Sequence, residues 1–333
     1  MKTRSANHDA SRFGPELLEL LRRNRGLWVT GEAVRLATGL AARRLPPLVA
    51  HLREAGYDVE AQPGRGFRLV GHGTRLSSEL ISCGLGTRRI GRQVLVYETT
   101  DSTNNVAWQY VGEPGYDGLA VFAEEQRAGR GRLGHPWLAP KGSSILGSIL
   151  LQDAAGVSSA ALSLLAGLAT ATALESVGVH ARIKWPNDVT VGGQKLAGTM
   201  VEARSARAGR RYVLGIGVNC QQQAEDWPTE WRQSATSLRQ VCGQETDRVH
   251  VAQQLLRELE RWLAAVEQGG AALLHEAWLA RCDDVGRRLI LLHDGKRFTG
   301  RVVDVSPERG LLLQLDAGPV RVFDAATTTV LNP

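Results

Sequence analysis

The chain has 333 residues, with 40 Lys/Arg against 34 Asp/Glu, a net charge of +6 and a hydrophobic content of 43%. That length excludes one small module and predicts two or three domains, and the ordinary apolar content excludes a disordered chain. Residues 1–75 hold thirteen basic and seven acidic side chains, the whole of the net charge (13 − 7 = +6), which points to a polyanion partner for that segment alone.

Residues 1–14 carry no apolar core, so no secretory leader is expected. The first segment, about 10–72, opens with Glu16-Leu17-Leu18-Glu19-Leu20-Leu21 as an amphipathic helix. Thr30 is a candidate N-cap for a second helix, Thr38-Gly39-Leu40 forms a tight turn, and 45–55 gives a third helix with Leu45, Leu48, Val49 and Leu52 at helical spacing. Two short strands over 57–60 and 66–69 then flank Pro63-Gly64-Arg65. Helix, helix, turn, helix, hairpin is the order of a winged helix-turn-helix, with the helix-turn-helix itself at about Gly31 to Ala50. Its candidate DNA contacts are Arg43, Arg44, His51, Arg53 and Arg65. Pro46-Pro47 falls where the recognition helix begins. A start near Leu45 or Pro46 accommodates the prolines but leaves 41–44 as a loop, which weakens the case for groove reading by this element.

The second segment, about 75–282, reads as strands over 94–97, 119–123, 145–151, 199–202 and 212–218, with helices over 157–176 and 249–268. A sheet flanked by helices follows, and the polar stretch 204–211 joins its two neighbouring strands as a hairpin. The uncharged run 154–174 is rich in Ala, Ser, Thr and Gly, which suits a buried helix rather than a membrane span. Cys83, Cys220, Cys242 and Cys282 lie far apart with no paired spacing, and the histidines form no cluster. Neither a disulfide framework nor a structural metal site is expected, and the cytoplasm is the expected compartment. The third segment, about 284–333, gives five short strands and a small β-barrel, with Asp294-Gly295 as its strongest hairpin signal and no residues that carry chemistry.

The chemistry concentrates in the second segment. Gly129-Arg130-Gly131-Arg132-Leu133-Gly134 supplies backbone N–H groups and two forked guanidinium donors within one loop, a combination suited to phosphate. Lys184 and Lys195 flank the turn Pro186-Asn187-Asp188 in a chain with five lysines and thirty-five arginines. A lysine kept where arginine is the habit marks a site for a compact point charge. Asp101-Ser102-Thr103-Asn104 follows a strand and opens a helix, where such side chains are ordinarily caps. Glu124-Glu125-Gln126 directly precedes the loop, and Asn187, Asp188 and Asn219 sit at turns or strand ends.

These segments, with Lys195-Leu196-Ala197-Gly198 and Gly215-Ile216-Gly217-Val218-Asn219, resemble the biotin–protein ligase family in the correct order. The N-terminal and C-terminal segments are similar to those of its bifunctional ligase/repressor members. The resemblance implies a multidomain α+β fold: a winged helix-turn-helix, a central mixed sheet like that of class II aminoacyl-tRNA synthetases, and an SH3-like barrel. It implies activation of biotin with ATP and Mg²⁺ to biotinyl-AMP, then transfer to a lysine of a biotin carboxyl carrier protein. It further implies that Ser102, Thr103, Asn104 and Gln126 bind the ureido ring, that Arg130, Gly131 and Arg132 wrap the ligand, and that Trp137 covers its apolar tail. Lys195 serves the carboxylate and phosphate ends, and Lys184, Asn187, Asp188 and Asn219 serve the nucleotide or its metal. Arg130, Arg132 and Lys195 carry the catalytic role. A DNA operator and a ligand-dependent homodimer are implied partners, and no membrane is. Leu133 and His135 depart from the basic residues often found at those loop positions. Two alternatives remain open: a ligase whose winged helix binds no DNA, and a non-catalytic regulator that senses a ligand. A lipoate ligase fits the loop less well.

Overall fold

The computed structural model describes residues 16–331, apart from 55, 72–74, 155 and 207–208. The leader reading of residues 1–14 and the start of the first segment lie outside the described residues.

The N-terminal unit comprises α1 (16–23), α2 (Gly31–Thr38), α3 (Leu45–Glu54) and an antiparallel hairpin of β1 (Val59–Gln62) and β2 (Gly66–Leu69). Thr30 Oγ1 accepts from Ala33 N at 3.1 Å and so caps α2. α3 starts at Leu45, with Pro46 and Pro47 in the first turn, where the N–H they lack would have no partner in the helix. Leu45, Leu48, Val49 and Leu52 form its buried face. Gly31 opens α2, and α3 runs from Leu45 to Glu54, in accord with the helix expected over 45–55, so the approximate helix-turn-helix bound at Ala50 falls inside α3. The expected loop at 41–44 is instead largely a 3₁₀ turn, Ala42–Arg44, because Arg44 N donates back to Ala41 O at 2.9 Å. Of the expected DNA contacts, Arg43, Arg44 and Arg65 are exposed. His51 is not. It follows Leu48 by three positions on the inward side of α3, and its Nε2 is buried. Arg53 is exposed, but its Nε is committed to Val59 O at 2.8 Å, tying α3 to β1.

The middle of the chain is built on a seven-stranded mixed sheet in the order β3-β4-β5-β9-β8-β7-β6. Its strands are β3 (Val94–Tyr97), β4 (Ala120–Ala123), β5 (Ser144–Leu151), β6 (Arg182–Lys184), β7 (Asp188–Val191), β8 (Gln194–Ala206) and β9 (Gly209–Asn219). β3 and β4 run parallel, and every other pair is antiparallel. The hairpin expected around 204–211 is present, with Ala206 opposite Gly209. β6 and β7 have no counterpart in the sequence reading, and β8 runs far beyond the expected 199–202. α4 (Ser78–Ser82), α5 (Thr103–Gln109), α6 (Ser159–Leu174), α7 (Leu238–Cys242), α8 (Arg248–Glu267) and α9 (Ala271–Leu279) complete this part. Among the described residues, 159–177 is the one helical stretch long and apolar enough to cross a membrane, and 72% of its apolar window is buried inside the protein. It is the central core helix, packed against α8 and the sheet.

The C-terminal part is an antiparallel sheet in the order β13-β12-β11-β10-β14, formed by β10 (Arg288–His293), β11 (Lys296–Ser306), β12 (Gly310–Leu315), β13 (Val320–Phe323) and β14 (Thr328–Leu331). Asp294 (φ 49°) and Gly295 (φ 73°) make the tight turn between β10 and β11, with His293 opposite Lys296.

Two charged contacts anchor the start of α8, the first to the N-terminal unit and the second to the sheet. Arg22 of α1 pairs with Asp247, the N-cap of α8, at 2.7 Å, and donates to Tyr57 Oη at 3.0 Å. The adjacent Arg248, fully buried, pairs with Glu124 at 2.8 Å and donates to Ser144 O at 2.9 Å. The other oxygen of Glu124 accepts from Leu76 N at 2.5 Å, at the chain entry into the central part. Removing one partner of a buried pair leaves a charge uncompensated in a dry site. Arg248→Ala is therefore expected to lower the stability of the chain by about 3–5 kcal/mol. Denaturant unfolding measures this, and an unchanged midpoint would show that the pair is dispensable.

Candidate functional site

One cleft, of about 240 Å³, opens on the face of the sheet formed by β5, β9 and β8. Its lining gathers Ser102, Thr103, Asn104, Gln126, Arg130, Gly131, Arg132, Trp137, Lys184, Asn187, Asp188 and Lys195. Asn219 is the exception. It is buried at the end of β9, where its Nδ2 donates to Thr236 O at 3.0 Å and its Oδ1 accepts from Gln222 Nε2 at 3.2 Å. Its carboxamide pins the 234–236 segment beside Lys195 rather than facing the cleft.

The floor depends on two glycines that alternate along β9 and so share a face. A Cβ at Gly217 would stand 2.5 Å from the Trp137 indole, and one at Gly215 would stand 2.7 Å from Asn104 Oδ1. Only hydrogen at those positions lets the ring and the carboxamide lie against the strand.

One end of the cleft is neutral and tightly bonded. Thr103 donates to Gln126 Oε1 from both its N–H (2.7 Å) and its hydroxyl (3.0 Å). Ser148 Oγ lies 2.7 Å from Thr103 Oγ1 and 2.6 Å from Asn104 Oδ1. Ser102 holds the N-cap position of α5 without making a side-chain cap bond. These short polar side chains face the cleft; they are not the helix caps that their position ordinarily indicates.

The loop folds back on itself: Trp137 N donates to Gly129 O at 3.0 Å, and Gly131 N donates to His135 O at 2.7 Å. The Gly131 N–H, expected to face an anion, is thus already taken. Leu133 sits in left-handed backbone (φ 55°), a local strain in a non-glycine residue. The two loop arginines are anchored on different sides. Arg130 pairs with Glu202 at 3.0 Å and donates to Asn105 Oδ1 at 2.8 Å. Arg132 donates to Asn187 Oδ1 at 3.2 Å, to Thr328 O at 2.8 Å and to Ala325 O. Burial lowers the Arg132 guanidinium from its usual range, opposed by Asp188 and Asp324. Thr329 and Val330 of β14 also line the cleft. The third segment, expected to carry no chemistry, therefore supplies one wall of the site.

The other end is charged. Lys195 Nζ lies 2.6 Å from Asp188 Oδ1 and 5.6 Å from the Trp137 ring centroid. Arg130, Arg132, Lys184 and Lys195 give the lining four cations, and Asp188 is its one carboxylate among the described residues. Trp137 Nε1 and Thr199 Oγ1, both in the lining, are buried with no hydrogen-bond partner in the protein. A polar anionic ligand suits such a cavity. No group of three or more His, Cys, Asp or Glu that could hold a metal occurs among the described residues.

The sequence reading missed Glu202, Ser148 and Trp108. Burial pushes the Glu202 carboxyl up, but hydrogen bonds from Asn104 and Trp108 and the Arg130 charge outweigh it and hold it below the ordinary glutamate range. The Arg130–Glu202 pair is therefore ionised at neutral pH and weakens only as pH falls through that lowered value.

Residues 96–219 match the model of the biotin/lipoate A/B protein ligase family. The chain is similar to the bifunctional ligase/repressor BirA of Escherichia coli, with 31% identity over 294 residues, 87% of this chain and 89% of that protein. It is similar also to the biotin–[acetyl-CoA-carboxylase] ligase of Paracoccus denitrificans, with 35% identity over 226 residues, 66% of this chain and 93% of that one. Among solved structures it resembles the biotin protein ligase from Aquifex aeolicus in complex with biotin and ATP. There the TM-score is 0.62 at 25% identity, over 73% of this chain and 100% of the other.

Proposed function

The chain belongs to the biotin–protein ligase family, and we propose that its cleft activates biotin with ATP and passes the biotinyl group to a lysine of a biotin carboxyl carrier protein. The observation that carries this is one cavity with a neutral, hydrogen-bonding end and a cationic end, joined by Trp137. A carboxylate and a triphosphate repel each other, so the meeting point must supply positive charge.

In the first step a biotin carboxylate oxygen bonds to the α-phosphorus of ATP and pyrophosphate leaves, giving biotinyl-AMP. In the second the acceptor lysine amine attacks the carbonyl carbon, loses a proton, and AMP leaves. Ser102, Thr103, Asn104 and Gln126 hold the ureido ring, and Trp137 covers the apolar tail. Lys195 neutralises the carboxylate and the α-phosphate, with Arg130 and Arg132 beside the phosphate. Lys184, Asn187 and Asp188 serve the nucleotide, with Asn219 acting through the segment it pins. A single carboxylate, Asp188, suits a Mg²⁺ that arrives with the nucleotide phosphates, since this ion usually keeps few protein ligands. Both attacking groups belong to substrates, so no side chain is needed as nucleophile. Transfer of labelled biotin to an acceptor carrier domain, with ATP and Mg²⁺, tests the reading, and absence of transfer overturns it.

Lys195→Ala removes a charge-assisted contact worth about 1.5–3 kcal/mol, so adenylation is expected to slow by roughly 10- to 100-fold. Lys296→Ala, on β11, provides the comparison. Equal pyrophosphate release by the two variants would remove Lys195 from the mechanism.

Replacing Arg130 or Arg132 by Gly is expected to speed escape of biotinyl-AMP and to raise biotinylation of bystander lysines. A gel of total protein after reaction with labelled biotin reads this, and labelling confined to the acceptor in both variants contradicts it.

We assign the units 10–72, 75–282 and 284–333 as a winged helix-turn-helix, a catalytic domain like class II aminoacyl-tRNA synthetases and an SH3-like barrel. Arg43, Arg44 and Arg65 form the DNA face of the first, supported by their exposure. Repression requires two half-sites held by a two-fold dimer, and biotinyl-AMP favours that dimer only by binding it better. Ultracentrifugation with and without biotin plus ATP is expected to show a ligand-dependent dimer that binds its operator with strong salt dependence. A chain that stays monomeric and prefers no DNA sequence is a ligase whose N-terminal unit serves only as structure.

A further inference from the structure

We propose that Glu202 is a positioning residue for the adenylate site: it holds Arg130 of the loop in place through its carboxylate and so sets how long the activated intermediate is retained. The inference rests on the ligase reading given above.

Gly198 and Met200 of β8 line the cleft, and period-two alternation puts Glu202 next on the same face, just beyond them. Its Oε1 accepts from Asn104 Nδ2 at 2.9 Å and from Arg130 Nε and Nη2 at 3.2 and 3.0 Å. Its Oε2 accepts from Trp108 Nε1 at 2.5 Å. The side chain is 21% exposed. A largely buried carboxylate is stabilised there because donors meet both of its oxygens. With both oxygens engaged it is in no position to take a proton from a substrate, and it does not line the cleft.

What it touches determines what it does. Asn104 is the last member of a hydrogen-bonded chain, Gln126–Thr103–Ser148–Asn104, that forms the neutral end of the cleft. Arg130 belongs to the loop that covers the phosphate. Glu202 is bonded to both, so the ureido end and the loop share a fixed point. Trp108 holds the opposite oxygen, and Arg204 covers the Trp108 ring at 4.1 Å, which stops the carboxylate from turning. Arg130 is thereby ordered before a ligand arrives, and the ordering cost is not charged against binding. Without Glu202, the guanidinium must be immobilised by the adenylate itself, and the loop opens sooner.

The test uses the full chain and measures escape of pre-formed biotinyl-AMP together with pyrophosphate release. Glu202→Ala is expected to speed escape by about tenfold or more, the size of a lost charge-assisted contact. It should change the rate of pyrophosphate release much less. Glu202→Gln, which keeps an acceptor and loses the charge, should fall between this variant and wild type. Combining Glu202→Ala with Arg130→Ala should be no worse than Arg130→Ala alone, because the first residue acts through the second. Escape as slow as wild type in both Glu202 variants, or effects that multiply in the double variant, overturns the inference. A Glu202 of purely structural importance would lower the melting temperature and leave escape unchanged below it. If Glu202→Ala does not fold, Glu202→Gln and its combination with Arg130→Ala carry the same comparison. Wild-type protein that forms no biotinyl-AMP overturns the ligase reading, and this inference with it. Wild-type retention matched by the variants overturns this inference alone.

Discussion

The buried ion pair of Arg248 with Glu124 is the joint on which the arrangement of the chain depends. Four segments meet at it: the entry at Leu76, Glu124 directly after β4, the start of β5 at Ser144 and the N-terminus of α8. Charges so deep are stable only with their partners in place. Glu124 also stands two residues before Gln126, so the pair fixes the strand end from which the neutral part of the cleft is built. One residue before Arg248, Asp247 receives Arg22 and Tyr57 from the N-terminal unit. A shift of α8 would thus be felt both at the N-terminal unit and beneath the cleft.

The sheet beneath that joint answers a different constraint, that of close approach. Glycine at 215 and 217 removes the side chains that would otherwise hold Trp137 and Asn104 off β9. An indole lying on a bare strand gives a flat apolar surface with a polar edge, and Lys195 Nζ lies over that ring. The apolar and ionic parts of the site are therefore one packed unit, in which moving the ring displaces the charge.

Much of this was legible in the sequence because it is local. The helix start at Thr30, the apolar face of α3, the Asp294-Gly295 turn and the order of the polar segments are all set by neighbours within a few positions. β6 and β7 escaped notice because they are short and close on the Pro186-Asn187-Asp188 turn, so that Asp188, read as a turn residue, in fact opens β7. Glu202 was invisible for the opposite reason: its partners Arg130, Trp108 and Asn104 are 72, 94 and 98 residues away. Asn219 was found as a polar residue at a strand end, but only the fold shows that its carboxamide faces inward. The C-terminal part offered no chemical side chain; it holds Arg132 through the backbone carbonyls of Ala325 and Thr328, which sequence composition does not reveal.

The cleft's cations are not left unmet. Arg130 is paired with Glu202, Lys195 with Asp188, and Arg132 with a carboxamide and two backbone carbonyls. Four positive groups in one small cavity would otherwise repel one another and destabilise the fold. Internal acceptors reduce that penalty while keeping the cations at the cavity wall. An incoming anion then exchanges one set of partners for another, so its net gain is far smaller than its gross attraction. On the proposed reading, retention depends on which internal partner releases its donor and which shares it. Glu202, with donors on both oxygens, shares Arg130 in place. Asp188, itself in the lining, is the partner with which a phosphate would compete for Lys195, and which a metal ion would attract. Under that proposed reading the two carboxylates divide the work: Glu202 keeps the loop ordered, and Asp188 yields the lysine when the substrates arrive.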